Sequence, residues 1–81
     1  MVTAFIMIRV GAGEHLGWMA TVKENVEKMP GVIEAHCVMG RYDVIAKVRV
    51  ERWSELVALV SDKIRSITGV VATETFVGYE E

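Results

Sequence analysis

The sequence has little of what marks a secreted or membrane-spanning chain. It holds one cysteine among 81 residues, so no disulfide can form within the chain, and a lone thiol suits a reducing compartment. Its first ten residues, MVTAFIMIRV, show no basic leader, and this apolar run is far shorter than the ~20 residues of a transmembrane helix. These features predict a cytoplasmic protein that does not contact a membrane.

The sequence also lacks an excess of positive charge. Nine Lys and Arg lie singly among eleven Asp and Glu, for a formal net charge of −2, so we expect no direct binding to nucleic acid. An apolar content of 52% indicates one globular domain over residues 1–81. A core of this size supplies only about 3 to 5 kcal/mol, so we expect the chain to gain stability by self-association.

Hydrophobic periodicity predicts six elements. Residues 2–10, 32–39, 43–50 and 70–79 have the pattern of strands. Helical spacing appears in two stripes: Leu16, Met19, Val22, Val26 and Met29, then Trp53, Leu56, Val57, Val60, Ile64 and Ile67.

The order of these elements points to one fold. A Gly-Val pair follows each helix, at residues 31–32 and again at residues 69–70, so the chain contains two similar halves. Two right-handed crossovers of this kind give the ferredoxin-like α+β fold, βαββαβ, with a four-stranded antiparallel sheet and two helices on one face.

The uncovered face of such a sheet would be unusually apolar in this chain. Phe5, Met7 and Ile45 fall on it by alternation, which predicts dimerisation through the sheet. Alternation does not show which residues of the last strand point toward the helices. Thr73, Thr75 and Val77 share one phase, and Glu74 and Phe76 share the other.

Motifs for catalysis, metals or cofactors are weak. GAGEHLG, residues 11–17, resembles a dinucleotide-binding loop, but the chain is too short for a doubly wound sheet, so we interpret it as a strand-to-helix connection. His36 and Cys37 are adjacent on a strand and so point to opposite faces, and His15 is far along the chain. We therefore expect a structural histidine, a small buried thiol, and no metal, cofactor or catalytic residue.

The bend GRYD, residues 40–43, allows two interpretations. Asp43 could bind the ammonium group of a small ligand, with Gly40 permitting close approach of the backbone. Alternatively, Asp43 satisfies the amide groups of the turn and Gly40 supplies a positive φ. The residues alone do not decide between a binding site and turn chemistry.

The segments PGVIEAHCVMGRYDVIAKVRV and GVVATETFV resemble the regulatory domain of the Lrp/AsnC transcription regulators, also called the RAM or amino-acid-binding domain. The resemblance covers about residues 3–79. It implies a domain that dimerises through its sheet, often assembles into rings of dimers, and binds an amino acid or similar small effector between protomers. The positions that match the family's effector-binding segments are Gly40, Tyr42, Asp43, Thr73, Thr75, Phe76 and Val77.

The family's regulators carry a helix-turn-helix before this domain, and this sequence begins at the domain's first strand. The resemblance therefore implies a stand-alone sensor that acts indirectly on transcription or amino-acid metabolism, through a full-length Lrp/AsnC regulator, rather than an enzyme. The alternative is a small dimeric ferredoxin-like α+β-barrel enzyme of the monooxygenase or isomerase type. Such an enzyme would need a deep cavity between sheet and helices, lined by His36 or Trp18.

Overall fold

The computed structural model describes residues 1–11 and 16–78, with side chains of the first helix described from residue 19. In this part of the chain the elements are β1 (Val2–Val10), α1 (Leu16–Glu27), β2 (Val32–Cys37), β3 (Val44–Val50), α2 (Trp53–Ala58) with a π-helical continuation (Leu59–Ile64), and β4 (Val70–Val77). The strands lie in the order β2-β3-β1-β4, and all neighbours are antiparallel. The predicted ferredoxin-like fold is confirmed. No helix in the described residues is long and apolar enough to cross a membrane.

The core lies between the central strands and the helices. Alternation places every second residue of β1 and β3 on the helix side, as predicted. These pairs are fully buried: Ala4 with Val48, Ile6 with Ala46, and Ile8 with Val44. From the helices, Val22, Val26 and Ile64 are also fully buried in this core.

The second helical stripe differs from its prediction. Leu56, Leu59 and Ile64 are buried, whereas Trp53 and Val57 remain 57% and 46% exposed. Trp53 and Val57 lie in the α-helical part and line a groove beside β4, whereas after Ala58 the helix is π-helical, with hydrogen bonds that join residues five apart. Leu59 and Ile64 therefore face the core together, a spacing that α-helical periodicity does not anticipate.

In each half of the chain, the same kind of turn joins the helix to the strand that follows it. At residues 29–32 and 67–70 the last amide donates to the first carbonyl, over 3.2 and 3.1 Å respectively. The third residue of each turn is a glycine with positive φ, 92° at Gly31 and 102° at Gly69. This combination is typical of a type II turn, in which the third position favours glycine. The predicted internal repeat is thus present in the backbone.

Candidate functional site

The sheet face opposite the helices carries a patch of apolar side chains. Phe5 pairs across the strands with Phe76, and Met7 pairs with Ile45. Phe5 is 37% exposed and Phe76 is 49% exposed. We call these four residues the open sheet face. The prediction that Phe5, Met7 and Ile45 lie on the uncovered face of the sheet is confirmed, and Phe76 lies there as well.

The register of β4 resolves the facing that the sequence left open. Thr73, Thr75 and Val77 pair with the inward residues of β1, so they lie on the helix side of the sheet. Phe76 and Glu74 lie on the opposite side. The final-strand residues proposed for one site are therefore divided between two faces of a single chain.

On the helix side, Thr75 and Val77 line a groove of about 330 Å³ beside α2. The exposed Trp53 and Val57 form part of its opposite wall. Thr73 is half-buried on the same side of the sheet. We call this space the helix-side groove.

Asp43 is fixed at the end of the sheet by hydrogen bonds. Its carboxylate accepts from the Val10 amide at 2.8 Å, and its own amide donates to the Ile8 carbonyl at 2.9 Å. The Asp43 carbonyl accepts from the Val38 amide, also at 2.9 Å. The carboxylate thus satisfies a backbone amide, but one that belongs to β1 rather than to the turn. Since an ionised carboxylate can accept about four hydrogen bonds, it retains capacity for a ligand.

Gly40 has the positive φ expected of a bend, 137°. A Cβ atom built on it would meet no heavy atom within 4 Å. Glycine is therefore required at this position by backbone conformation, and no neighbouring group crowds it. The open surroundings leave its backbone accessible.

Tyr42 connects the bend to β4, the strand at the opposite edge of the sheet from β2. Its hydroxyl donates a hydrogen bond to the Glu74 carboxylate, which raises the pKa of Tyr42 above its usual value. The Arg9 guanidinium carbon lies 5.8 Å from the centre of the Tyr42 ring. Arg9 also donates to the Arg41 carbonyl, from Nη2 at 2.9 Å and from Nε at 3.3 Å.

Sequence reasoning missed Arg9 and Glu74 as members of this cluster. Arg9 has the outward phase at the end of β1, and Glu74 lies between Thr73 and Thr75. A signal was available, because a ferredoxin-like sheet places its last strand beside its first. The structure brings both side chains to Tyr42 on the open side of the sheet.

The histidine and the thiol do not form a shared site. His36 and Cys37 occupy opposite phases of β2, as predicted. His36 lies on the open side, where its Nε2 is 2.8 Å from Glu34 Oε1, and this contact lowers the pKa of Glu34. Cys37 is exposed, so the expectation of a buried thiol is wrong. The residue is the last one of β2, a strand at the edge of the sheet.

His36 therefore does not line a cavity between sheet and helices, the position that the enzyme alternative required. The side chain of Trp18 and all of His15 lie outside the described residues, as does most of the predicted GAGEHLG connection. Within residues 1–11 and 16–78, no three His, Cys, Asp or Glu side chains come together as metal ligands would.

Comparison with known proteins points to one family. The family model described as the Lrp/AsnC ligand binding domain matches residues 3–81. An uncharacterised HTH-type transcriptional regulator of Pyrococcus abyssi is 40% identical over 78 residues, which are 96% of this chain and 51% of that protein. The chain thus spans about half the length of such curated relatives.

Solved structures share the fold. The protein TTHA0845 of Thermus thermophilus is 33% identical, with a TM-score of 0.87 over 100% of this chain and 96% of that one. A Neisseria meningitidis transcriptional regulator, solved as a complex with L-Met, shares the fold at 19% identity, with a TM-score of 0.78 over 99% of this chain and 51% of that one. From the family match and these relatives, the chain belongs to the Lrp/AsnC ligand-binding domain family.

Proposed function

We propose that this domain binds an amino acid, or a similar small effector, in a cleft between protomers, and that binding biases its assembly. The observation that carries the proposal is the position of the Tyr42–Asp43 bend, which is hydrogen-bonded to the end of β1 at the rim of an exposed apolar sheet face. A ligand at this rim would contact both the bend and a copy seated on that face. Its occupancy would favour the assembly that it binds more tightly.

The proposed dimer forms through the open sheet face. Phe5 and Phe76 are the largest side chains on it, and both keep more than a third of their surface exposed. Aromatic anchors flanked by charged residues, here Arg9 and Lys47, are typical of protein interfaces. A symmetric pair of such faces would bury the aromatic side chains of one copy against those of the other.

The effector would be held by Asp43 at its ammonium group and by the backbone near Gly40. Thr73, Thr75 and Val77 lie on the helix side, away from Phe76, so one cleft within a single chain does not collect all seven proposed residues. We propose that further association of dimers brings the helix-side groove of one copy to the bend of another. The threonine hydroxyls would then add hydrogen bonds, and the apolar residues would select the effector's side chain.

We propose further that residues 1–81 act as a single ligand-binding domain without a helix-turn-helix of their own, in the cytoplasm and without direct contact to nucleic acid. The TTHA0845 chain, matched over 96% of its length, supports a domain of this size. The dispersed basic residues of the sequence support indirect action. A full-length Lrp/AsnC regulator is the proposed partner, through co-assembly of the shared domain.

Isothermal titration calorimetry with the twenty amino acids tests this function. The variant Asp43→Asn keeps an oxygen for the Val10 amide but removes the charge that would face an ammonium group. We expect one or a few amino acids to bind the wild type, and the variant to bind them at least about tenfold more weakly, because hydrogen bonds to charged groups contribute about 1.5 to 3 kcal/mol. Asp62→Asn, an exposed aspartate of the π-helical segment, is the matched control. Equal binding by wild type and Asp43→Asn would refute the assigned role.

A further inference from the structure

Three segments meet around Tyr42 on the open side of the sheet. Because β1 lies between β3 and β4, the hydrogen bond from Tyr42 to Glu74 carries the tyrosine side chain across β1. Arg9, at the end of β1, lies beside the ring. The bend, β1 and β4 therefore place an aromatic ring, a cation and a carboxylate at one location.

The two charges at this location are opposite in sign and exposed. Among residues 1–11 and 16–78, neither Arg9 nor Glu74 forms an ion pair with another side chain. Arg9 uses two of its nitrogens on the Arg41 carbonyl, and a guanidinium carries five N–H donors. Glu74 accepts from Tyr42 at Oε1, and its carboxylate has further acceptor capacity. Both groups can therefore bind a ligand without breaking the contacts that position them.

An α-amino acid presents complementary charges, a carboxylate and an ammonium group on the same carbon. Arginine binds carboxylates in a planar, two-pronged geometry, and a carboxylate side chain accepts from an ammonium group. Asp43, the residue after Tyr42, carries a second carboxylate, which accepts from the amide of Val10, the residue after Arg9. We infer that Arg9 binds the effector's carboxylate and that Glu74, together with Asp43, binds its ammonium group. This assignment rests on the proposed amino-acid binding and adds two residues to it.

The location also explains how a surface cluster could bind a small polar molecule. Arg9 and Glu74 lie on the same side of the sheet as Phe5 and Phe76, toward the end where the bend is found. A second copy on the open sheet face would exclude water from the rim. Charge interactions strengthen as the local dielectric falls, so the cluster would bind more tightly in the assembly than in the free chain.

The test pairs changes in the protein with changes in the ligand. The tightest-binding amino acid from the calorimetric screen is compared with its amide, which lacks the carboxylate, and with its N-acetyl form, which lacks the ammonium group. Arg9→Gln and Glu74→Gln are titrated with all three. The control is Arg49→Gln, an exposed arginine with the same outward phase on β3 but paired with Thr3 at the other end of the sheet.

We expect Arg9→Gln to weaken binding of the free amino acid at least about tenfold and to leave the weaker binding of the amide unchanged. Glu74→Gln should likewise weaken binding of the free amino acid and leave the weaker binding of the N-acetyl form unchanged. Arg49→Gln should bind all three ligands as the wild type does. If Arg9→Gln and Glu74→Gln both match Arg49→Gln, the assignment is wrong although amino-acid binding stands. If the wild type binds no amino acid, the proposed function itself fails. If the wild type binds the amide and N-acetyl forms as tightly as the free amino acid, recognition does not involve the charged end and the assignment is again refuted.

Discussion

Replacing Phe76 with alanine should separate the copies of this protein without unfolding the chain. Phe76 is 49% exposed on the open sheet face, and an aromatic side chain offers roughly 200 Å² of surface, so about 100 Å² per chain remains to be buried by a partner. At about 25 cal/mol per Å², this burial contributes up to about 2.5 kcal/mol per chain and about 5 kcal/mol per symmetric dimer. Even half of that value, about 2.5 kcal/mol, corresponds to a dissociation constant raised roughly sixtyfold.

Sedimentation equilibrium over a range of concentrations measures this change. We expect the wild type to have a mass of at least twice its 9.0 kDa, and Phe76→Ala to approach the single-chain mass at concentrations where the wild type remains associated. Val57→Ala is the matched control for the dimer, because Val57 is 46% exposed but lies on α2 in the helix-side groove, so this variant should keep at least the mass of a dimer. Circular dichroism of each variant reports whether the fold is retained. A Phe76→Ala protein that associates as tightly as the wild type would refute dimerisation through this face.

Two further predictions follow from the turns and from Tyr42. Gly31→Ala should lower the free energy of unfolding by more than Gly40→Ala does, as measured by urea denaturation. Both substitutions impose backbone strain of about 1 to 3 kcal/mol, but the new Cβ at residue 31 would also lie 2.7 Å from Val50 Cγ1. Equal losses would contradict this account. The raised pKa of Tyr42 means that its neutral form stabilises the fold below the unfolded-state pKa, and that this stabilisation is lost as the pH rises through the folded-state value. Spectrophotometric titration should show Tyr42 ionising at lower pH in Glu74→Gln than in the wild type. An unchanged titration would show that the hydrogen bond to Glu74 does not raise the pKa of Tyr42.

Much of the fold was predictable because its signals are local and regular. The alternation of residues 2–10 and 43–50 identifies the buried faces of the two central strands, and the structure confirms Ile6 and Ile8 among the fully buried residues. The glycines at 31 and 69 mark equivalent turns because both adopt a backbone conformation that other residues rarely take. Periodicity and turn chemistry therefore carry this part of the prediction.

The errors arise where tertiary structure overrides the local pattern. Trp53 and Val57 match an α-helical stripe but remain exposed, whereas Leu59, which lies outside that stripe in the π-helical segment after Ala58, is buried. Cys37 has the small, apolar character of a buried residue, yet it ends the outermost strand β2 and is exposed. Neither outcome is encoded in the spacing of nearby residues.

The candidate site was only partly predictable for a related reason. GRYD stands out in the sequence because a glycine and an aspartate interrupt apolar strands, and Asp43 indeed connects the bend to β1. The partners of Tyr42, namely Arg9 and Glu74, are each more than thirty residues away along the chain. Their proximity depends on the order of the strands and on which phase of β4 faces outward, which alternation left open.

A crystal structure of the protein grown with the amino acid selected by calorimetry would test the central proposal most directly. We expect two copies to meet through Phe5 and Phe76, with the ligand at the rim of that interface in contact with Asp43. Arg9 and Glu74 should lie at its charged end. Copies that leave the open sheet face in solvent, or a ligand bound far from residues 40–43, would contradict the account.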